Sequence, residues 1–269
     1  AENISYVLKN DRKILDDISF DVNQGEICVV IGPNGAGKTT LMKVLAGVIK
    51  PSCGAVYVDS QPIKGMKRQS IAKKIAYLPQ TTNAVPCRVY DSVLIGRKPY
   101  MTWNPKLCDK SITDDVMKEL SITHMSEKCV TELSGGEFQK TLIARALVQQ
   151  ADVLMLDEPI NHLDVKNQVE IMETARCITK RRNIATIIVL HDLNLAVRYA
   201  DKVLLLDNGR QIYCGSKDEM REKHLSDAYQ IPIRITSIEN KSFVLYCAGV
   251  QRKSSKVNSA CSGICLLIT

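Results

Sequence analysis

The amino-acid sequence predicts an α/β fold in which helices cover a largely parallel β-sheet. Residues 153–156 (VLML) and 187–190 (IIVL) are apolar at every position, which is typical of parallel strands buried on both faces. A third apolar run, residues 27–31, leads into the glycine-rich segment GPNGAGKTT, and apolar residues at helical spacing follow in residues 41–48. This succession of strand, tight loop and helix is the repeating unit of such a sheet.

The remaining elements are predicted from periodicity and from turn residues. Turn signals at residues 23–25 and 51–54 separate strands near the N-terminus. The predicted strands are 14–22, 26–31, 55–59 and 75–78, and the predicted helices are 37–49, 137–149, 165–178, 193–200 and 217–229. Residues 89–131 are helical and irregular in pattern, and residues 234–236 with 243–247 are predicted to form a hairpin.

The composition is that of an ordinary folded protein. Of 269 residues, 45% are hydrophobic and 24% are charged. The apolar runs are much shorter than the roughly 20 residues of a membrane helix, and the start AENISY lacks the pattern of an export signal. We therefore expect neither a membrane-spanning helix nor an export signal. The net charge of +7 includes a basic cluster at residues 64–74. A solvated face is favoured there over contact with anionic lipid or nucleic acid.

The segment GPNGAGKTT has the Gly-x4-Gly-Lys-Thr spacing of a loop that wraps nucleotide phosphates. Glycines let backbone N–H groups face an anion, and the following helix adds the positive end of its dipole. Lys38 supplies a point charge for the β- and γ-phosphates, and the Thr39 hydroxyl can ligate Mg²⁺. The alternative, an ordinary glycine-rich turn, is disfavoured by this context. We expect ATP and Mg²⁺ to bind at Gly32, Pro33, Asn34, Gly35, Ala36, Gly37, Lys38, Thr39 and Thr40.

Four further motifs follow this loop. They are LSGGE at 133–137, VLMLDEP at 153–159, NHLD at 161–164, and His191 with Asp192 after an apolar strand. In this order, from about Ile4 to about Met220, the chain resembles the ATP-binding subunits of ABC transporters. LSGGE is the discriminating motif, since other phosphate-loop ATPases lack it. The resemblance implies a P-loop NTPase fold with a RecA-like parallel core, an N-terminal antiparallel β-subdomain and an inserted helical subdomain at about residues 85–150.

The resemblance assigns roles to side chains at strand ends. Asp157 would reach Mg²⁺, and Glu158 is similar to the catalytic carboxylate that orients or deprotonates the attacking water. His191 is similar to the switch histidine at the γ-phosphate, and Gln80 to the loop glutamine that senses Mg²⁺ and water. The implied catalytic residues are Glu158, His191, Gln80 and Lys38, and the implied metal residues are Thr39, Gln80 and Asp157. The ordinary alternatives are two solvated acids, a structural histidine and a turn glutamine.

Ser134, Gly135 and Gly136 open a helix and so form a second anion site in the chain. The resemblance implies that they contact ATP on a second copy, so that two ATP molecules lie between the chains of a homodimer. Asp164 is similar to the aspartate that crosses this interface. Tyr6 is the nearest candidate for the aromatic residue that stacks on adenine, with an ordinary strand residue as the alternative.

IGRKPYMTW at 95–103 and HDLNLAVRYADKV at 191–203 resemble the branch that serves iron–siderophore, haem and cobalamin importers. That branch implies an ATPase domain over residues 1–225, a short extension over 226–269 and a peripheral position on the cytoplasmic face of the membrane. The implied partners are polytopic permease subunits, contacted near residues 80–100, and indirectly a substrate-binding protein; no nucleic acid is expected. The rival hypotheses are a soluble ABC-type ATPase acting on ribosomes or nucleic acid, an exporter subunit, and a non-catalytic interaction protein.

Overall fold

The structure is a computed structural model and describes residues 1–8, 11–238 and 241–246. Its strands are β1 Glu2–Val7, β2 Lys13–Ile18, β3 Ile27–Ile31, β4 Cys53–Ala55, β5 Tyr57–Val58, β6 Gln61–Pro62, β7 Ile75–Leu78, β8 Val153–Asp157, β9 Ala185–Val189, β10 Lys202–Asp207, β11 Arg210–Ser216, β12 Ile233–Ile238 and β13 Lys241–Tyr246. Its helices are α1 Lys38–Leu45, α2 Arg68–Lys74, α3 Val89–Leu94, α4 Leu107–Glu119, α5 Gly135–Leu147, α6 Val165–Arg182, α7 Leu193–Tyr199 and α8 Glu222–Tyr229.

Nine strands form one large mixed sheet, in the order β4-β1-β2-β11-β10-β3-β9-β8-β7. The strands β10, β3, β9, β8 and β7 run parallel to one another, whereas β1 pairs antiparallel with both β2 and β4. The predicted parallel core and N-terminal antiparallel part are therefore confirmed. Because the carboxyl ends of parallel strands lie at one edge of a sheet, the residues that follow β3, β7, β8 and β9 meet there.

The central strands separate two apolar cores. Along β3, Ile27, Val29 and Ile31 enter the core that also contains buried residues of α5, α6 and α7, whereas Cys28 and Val30 enter the core on the side of α1. Every residue of β3 and of β9 is buried. This two-sided burial explains the nearly continuous apolar runs from which these strands are predicted.

The prediction does not include β1, α2, β10 or β11. β1, α2 and β11 have few or no buried residues, whereas β10 is an apolar run too short for periodicity to distinguish a strand from a helix. The predicted strand 14–22 ends at Ile18, because Ile18 pairs with Ile4 and the partner strand β1 begins only two residues earlier, at Glu2. The predicted helix 37–49 ends at Leu45, two residues before Gly47 with its φ of 67°. The predicted helix 217–229 begins only at Glu222. No residue of α2 is fully buried, so this helix has no apolar stripe.

A buried ion pair fixes the helical part that lies between β7 and β8. The Arg97 guanidinium donates to the Asp109 carboxylate at 2.9 Å and to the Val148 carbonyl oxygen at 2.8 Å. Arg97 is 4% exposed and Asp109 is 1% exposed. The Lys106 backbone N–H and the Arg97 guanidinium together lower the pKa of Asp109 below its ordinary value. The carboxylate is therefore the charged partner that Arg97 requires.

Replacement of Asp109 by alanine should lower the free energy of unfolding by about 3 kcal/mol, because it leaves the Arg97 guanidinium buried without a counter-ion. Urea denaturation measures this change. The matched control is Asp91→Ala, which removes the exposed ion-pair partner of Arg88 and should cost under about 1 kcal/mol. Equally small losses in both variants would mean that the buried pair does not stabilise this part of the protein.

The C-terminal elements pack against the main sheet. α8 lies beside β10 and β11 with Leu225 and Ala228 buried, and β13 lies against α7. The domain limit predicted at residue 225 thus falls inside α8, and residues 247–269 of the predicted extension lie outside the described residues. In the part of the chain that the structure describes, no helix is both long and apolar enough to span a membrane.

Candidate nucleotide site

The phosphate loop, residues 32–40, lies between β3 and the first turn of α1, as the sequence predicts. Gly32 has a φ of 146°, and a Cβ atom there would lie 2.1 Å from the Leu206 carbonyl oxygen, so only glycine fits at this exit. Lys38 is 6% exposed, and its ammonium group donates to the carbonyl oxygens of Gly32 at 2.6 Å and Pro33 at 3.0 Å. The charge is thus held against the loop, where it can meet a phosphate.

Two buried carboxylates lie near this buried ammonium group. Burial lowers the pKa of Lys38, while the charges of Glu158 and Asp157 oppose that shift. Burial also raises the pKa of Asp157 above its ordinary value. Lys43, whose charge opposes this shift, is exposed, so the two buried acids face one buried ammonium group. A divalent cation would neutralise the remaining negative charge.

Asp157 is the residue best placed to hold such a cation. It ends β8 and is 1% exposed, and its carboxylate accepts hydrogen bonds from the Tyr77 hydroxyl at 3.2 Å and the Thr39 hydroxyl at 3.5 Å. Carboxylate and hydroxyl oxygens are hard ligands, and Mg²⁺ commonly takes only one or two protein groups alongside phosphate and water. Thr39 and Asp157 therefore fit a Mg²⁺ ion that is shared with a nucleotide.

Glu158 brings the predicted catalytic side chains together. Its φ of 55° is unusual for a non-glycine residue and turns the chain out of β8. Its carboxylate accepts from the Gln80 side-chain amide at 2.5 Å and from the Asn161 side-chain amide, and it pairs with His191 Nε2 at 2.6 Å. The Gln80 amide, also predicted to sense Mg²⁺, thus bonds to the carboxylate.

This arrangement suits proton transfer from a water molecule. The Glu158 side chain is 6% exposed and the His191 side chain is 40% exposed, so the imidazole lies between the carboxylate and solvent. A carboxylate oriented by two amide donors can orient a water molecule and accept its proton, and an adjacent imidazole can contact the reacting group. The described site thus contains an anion-binding loop, a cation position and a candidate general base.

A second group of residues, the signature group, consists of Ser134, Gly135, Gly136, Asp164 and Asn167. Ser134 caps α5, and it lies exposed beside Gly135. A Cβ atom on Gly136 would lie 2.5 Å from Asn167 Oδ1, and the Asn167 amide donates to Asp164 at 2.9 Å. Within the described ranges, no hydrogen bond joins this group to the phosphate loop of the same chain.

Tyr6 lies in β1, where it pairs with Leu15 of β2 and packs against the core on the side of α1. This placement fits the ordinary interpretation of a strand residue, and its contact with adenine stays a prediction.

Three residues of the site, Tyr77, Asn161 and Asn167, are not predicted from the sequence. Asn161 opens the NHLD motif and so carries a signal, whereas Tyr77 has the appearance of one more apolar strand residue.

The family can be identified from the sequence that carries this site, which matches the ABC transporter family over residues 15–161. The chain belongs to the ABC transporter ATP-binding proteins. It is 35% identical to the petrobactin import ATP-binding protein FpuD of Bacillus anthracis, over 83% of this chain and 84% of the relative. It is 36% identical to the hemin import ATP-binding protein HmuV of Thermobifida fusca, over 84% of this chain and 80% of the relative.

The fold of this ABC transporter protein agrees with that of solved relatives. A metal-chelate type ABC transporter in an inward-facing conformation has a TM-score of 0.78 to it at 27% identity, over 91% of this chain and 94% of the other. As an ABC transporter ATP-binding protein, the chain is an ATP-hydrolysing enzyme coupled to transport. The matched region contains the phosphate loop, LSGGE and both strand-end carboxylates, whereas Tyr6, Asp164 and His191 lie outside it.

Proposed function

We propose that this chain is the ATPase subunit of an importer for an iron chelate, haem or cobalamin, and that it closes as a homodimer around two Mg²⁺-bound ATP molecules. The phosphate loop binds the triphosphate, and Thr39 with Asp157 holds the Mg²⁺. Glu158 accepts the proton of the attacking water, while His191 and Gln80 orient it. Closure drives a polytopic membrane permease, which places the chain at the cytoplasmic face of the membrane.

The observation that carries this proposal is the convergence on Glu158. Gln80 and His191, from two distant segments, and Asn161, from the turn of Glu158 itself, meet at one buried carboxylate directly after the candidate cation ligand Asp157. A solvated turn with two acids would not recruit two partners from the ends of other strands. The arrangement provides a base and two orienting groups at one point, which hydrolysis of a phosphoanhydride requires.

The exposed members of the signature group support the homodimer. Ser134, Gly135 and Asp164 are exposed, and the neighbouring Val165 is an apolar side chain with 67% exposure. The N-terminus of α5, at Ser134, is a second candidate anion site, and among the described residues it has no hydrogen bond to the phosphate loop of the same chain. In an isologous dimer, each loop would face the partner's signature group, and each ATP would contact both chains.

The proposed substrate class follows from relatives whose names include petrobactin import and hemin import, and from a solved transporter of metal-chelate type. Cobalamin belongs to the same proposed class through the resemblance of residues 95–103 and 191–203. A substrate-binding protein would deliver the cargo to the permease and would not contact this chain, and we expect no nucleic-acid partner.

The partnership is tested by purification from the native host. Tagged Glu158→Gln chain is purified with ATP from detergent-solubilised membranes, and the co-purifying proteins are identified. A polytopic permease is the expected result, and its own relatives would define the cargo. A ribosome, a nucleic-acid complex or nothing from the membrane fraction would contradict the transport proposal.

Replacement of Ser134 by arginine should lower steady-state ATP hydrolysis at least about tenfold, because a long cation at the helix N-terminus blocks its contact with the second chain's ATP. ATP binding to the isolated chain, measured by titration calorimetry, should stay within about threefold. Ser134→Ala is the matched control, since it removes the same helix cap without adding bulk. Equal effects of the two substitutions, or loss of binding in the arginine variant, would count against the dimer contact.

A further inference from the structure

Tyr229, the last residue of α8, contacts the phosphate loop from a distant part of the chain. The Gly32 backbone N–H donates to the Tyr229 hydroxyl oxygen at 3.0 Å, across a separation of 197 residues. The tyrosine ring packs against the apolar core, so that the hydroxyl group reaches the loop from the protein interior. Burial raises the pKa of Tyr229 to about 12, and the hydroxyl therefore stays neutral at physiological pH.

Gly32 links Tyr229 to the phosphate-binding lysine. Its N–H group is held by Tyr229, and its carbonyl oxygen accepts the Lys38 ammonium group at 2.6 Å. Its backbone also passes so close to the Leu206 carbonyl oxygen that no side chain fits. The position of Gly32 thus sets where the lysine rests, and Tyr229 supplies one of the contacts that fix this position.

The C-terminal segment, which consists of α8, β12 and β13, holds Tyr229 in place through hydrogen bonds of β12 to α8 and of β13 to α7. Glu222 accepts a hydrogen bond from the Ile235 backbone N–H at 2.8 Å, and Ser226 accepts one from the Ile233 N–H at 2.9 Å, so that β12 is bonded to α8. On β13, the Val244 backbone N–H donates to the Asn194 side chain at 2.8 Å. Asn194 belongs to α7, the helix that begins two residues after His191.

We propose that Tyr229 is a positioning residue for the phosphate loop, and that the C-terminal segment sets the nucleotide affinity of this ATPase through it. The inference rests on the proposed nucleotide binding by the loop. An anchored loop loses less conformational freedom on binding than a free one, so removal of the anchor weakens binding. Because the anchor does not touch the reacting atoms, the chemical step proceeds unchanged once nucleotide is bound.

The test is Tyr229→Phe in the full chain, since phenylalanine keeps the packed ring and removes only the hydroxyl group. The dissociation constant for Mg²⁺-ADP and the KM for ATP should both rise about fivefold, the size expected from loss of one neutral hydrogen bond, while kcat stays within about twofold. In spectra of protein labelled with ¹⁵N-glycine, the Gly32 amide signal should shift and its hydrogen exchange should accelerate. A role in packing alone would lower thermal stability without moving the affinity.

Two further variants separate the possible outcomes. Tyr213→Phe also removes a tyrosine hydroxyl bonded to the backbone, here as a donor to the Ser216 carbonyl oxygen, on a ring that stacks against His224 of α8, and should leave affinity unchanged. Lys38→Ala reports on the loop itself: unchanged Mg²⁺-ADP affinity in that variant would overturn the proposed nucleotide binding. Two results would overturn only the role of Tyr229, provided that Lys38→Ala loses affinity. One is a Tyr229→Phe variant that binds as the unmodified chain does. The other is a Tyr213→Phe variant that loses as much affinity as Tyr229→Phe.

Discussion

ATP hydrolysis should fall about a thousandfold when Glu158 is replaced by glutamine, because the change removes the candidate base that accepts the proton of the attacking water. ATP should still bind with an affinity within about threefold, since neither Lys38 nor the Thr39–Asp157 pair is altered. Phosphate release measures the first quantity and titration calorimetry the second. Bound but unhydrolysed ATP should then hold two chains together, which light scattering detects as a dimer.

The geometry makes glutamine a conservative change at this position. One oxygen of the Glu158 carboxylate accepts the side-chain amides of Gln80 and Asn161, and the other oxygen pairs with His191 Nε2. A glutamine oxygen can accept the same two amides, and its NH₂ group can donate to a neutral imidazole. Every buried polar group keeps a partner, so the loss of hydrolysis would report on chemistry and not on folding.

Glu119→Gln is the matched control for this prediction. Glu119 is a half-buried carboxylate that pairs with Arg182 outside the site, so its replacement removes a charge without touching Glu158 or its partners. Its hydrolysis rate should stay within about twofold of that of the unmodified chain. A Glu158→Gln chain that still hydrolyses ATP, or that scatters as a monomer with ATP present, would contradict the roles proposed for Glu158 and the dimer.

The strands that the sequence predicts best are buried on both faces, although β10, which is equally buried, is not predicted. β7 lies at its predicted residues 75–78, and β8 and β9 differ from prediction by one or two residues. β1 (ENISYV) and β2 (KILDDI) alternate poorly because their ladder contains register shifts, so part of the apolar pattern is lost. The basic helix α2 contacts the core through Ile71, which is only partly buried, and one such contact produces no helical periodicity.

The residues of the site also divide into those that the sequence predicts and those that it does not. Contiguous motifs gave the phosphate loop, the strand-end carboxylates and the signature glycines, because local spacing alone defines them. Tyr77 and Tyr229 escape such reasoning, since each acts through a hydroxyl group that reaches a loop or strand end far away in sequence. Tertiary packing, which spacing does not encode, is what aims these hydroxyl groups at Asp157 and Gly32.

Replacement of Lys38 by alanine should weaken ATP binding about a hundredfold, or by about 3 kcal/mol, because a buried ammonium group on a phosphate makes a strong, charge-assisted contact. Burial already lowers the pKa of this lysine, so the folded protein holds the charge at a cost when no phosphate is near. The two hydrogen bonds from Lys38 to the carbonyl oxygens of Gly32 and Pro33 stabilise the folded protein and offset this cost. The free energy of unfolding without nucleotide should therefore change by less than about 1 kcal/mol.

The lowered pKa of Lys38 also determines how ATP affinity depends on pH. Since the folded pKa of Lys38 lies below its unfolded value, burying the ammonium group destabilises the protein at neutral pH, and this penalty disappears as pH rises through the folded pKa. A bound phosphate favours the charged form, so affinity should fall over that same alkaline range. Lys118→Ala, which removes an exposed lysine on α4 outside the site, is the control and should bind ATP within about threefold of the unmodified chain. Lys38→Ala and Lys118→Ala with equal affinities would mean that Lys38 does not contact the phosphates.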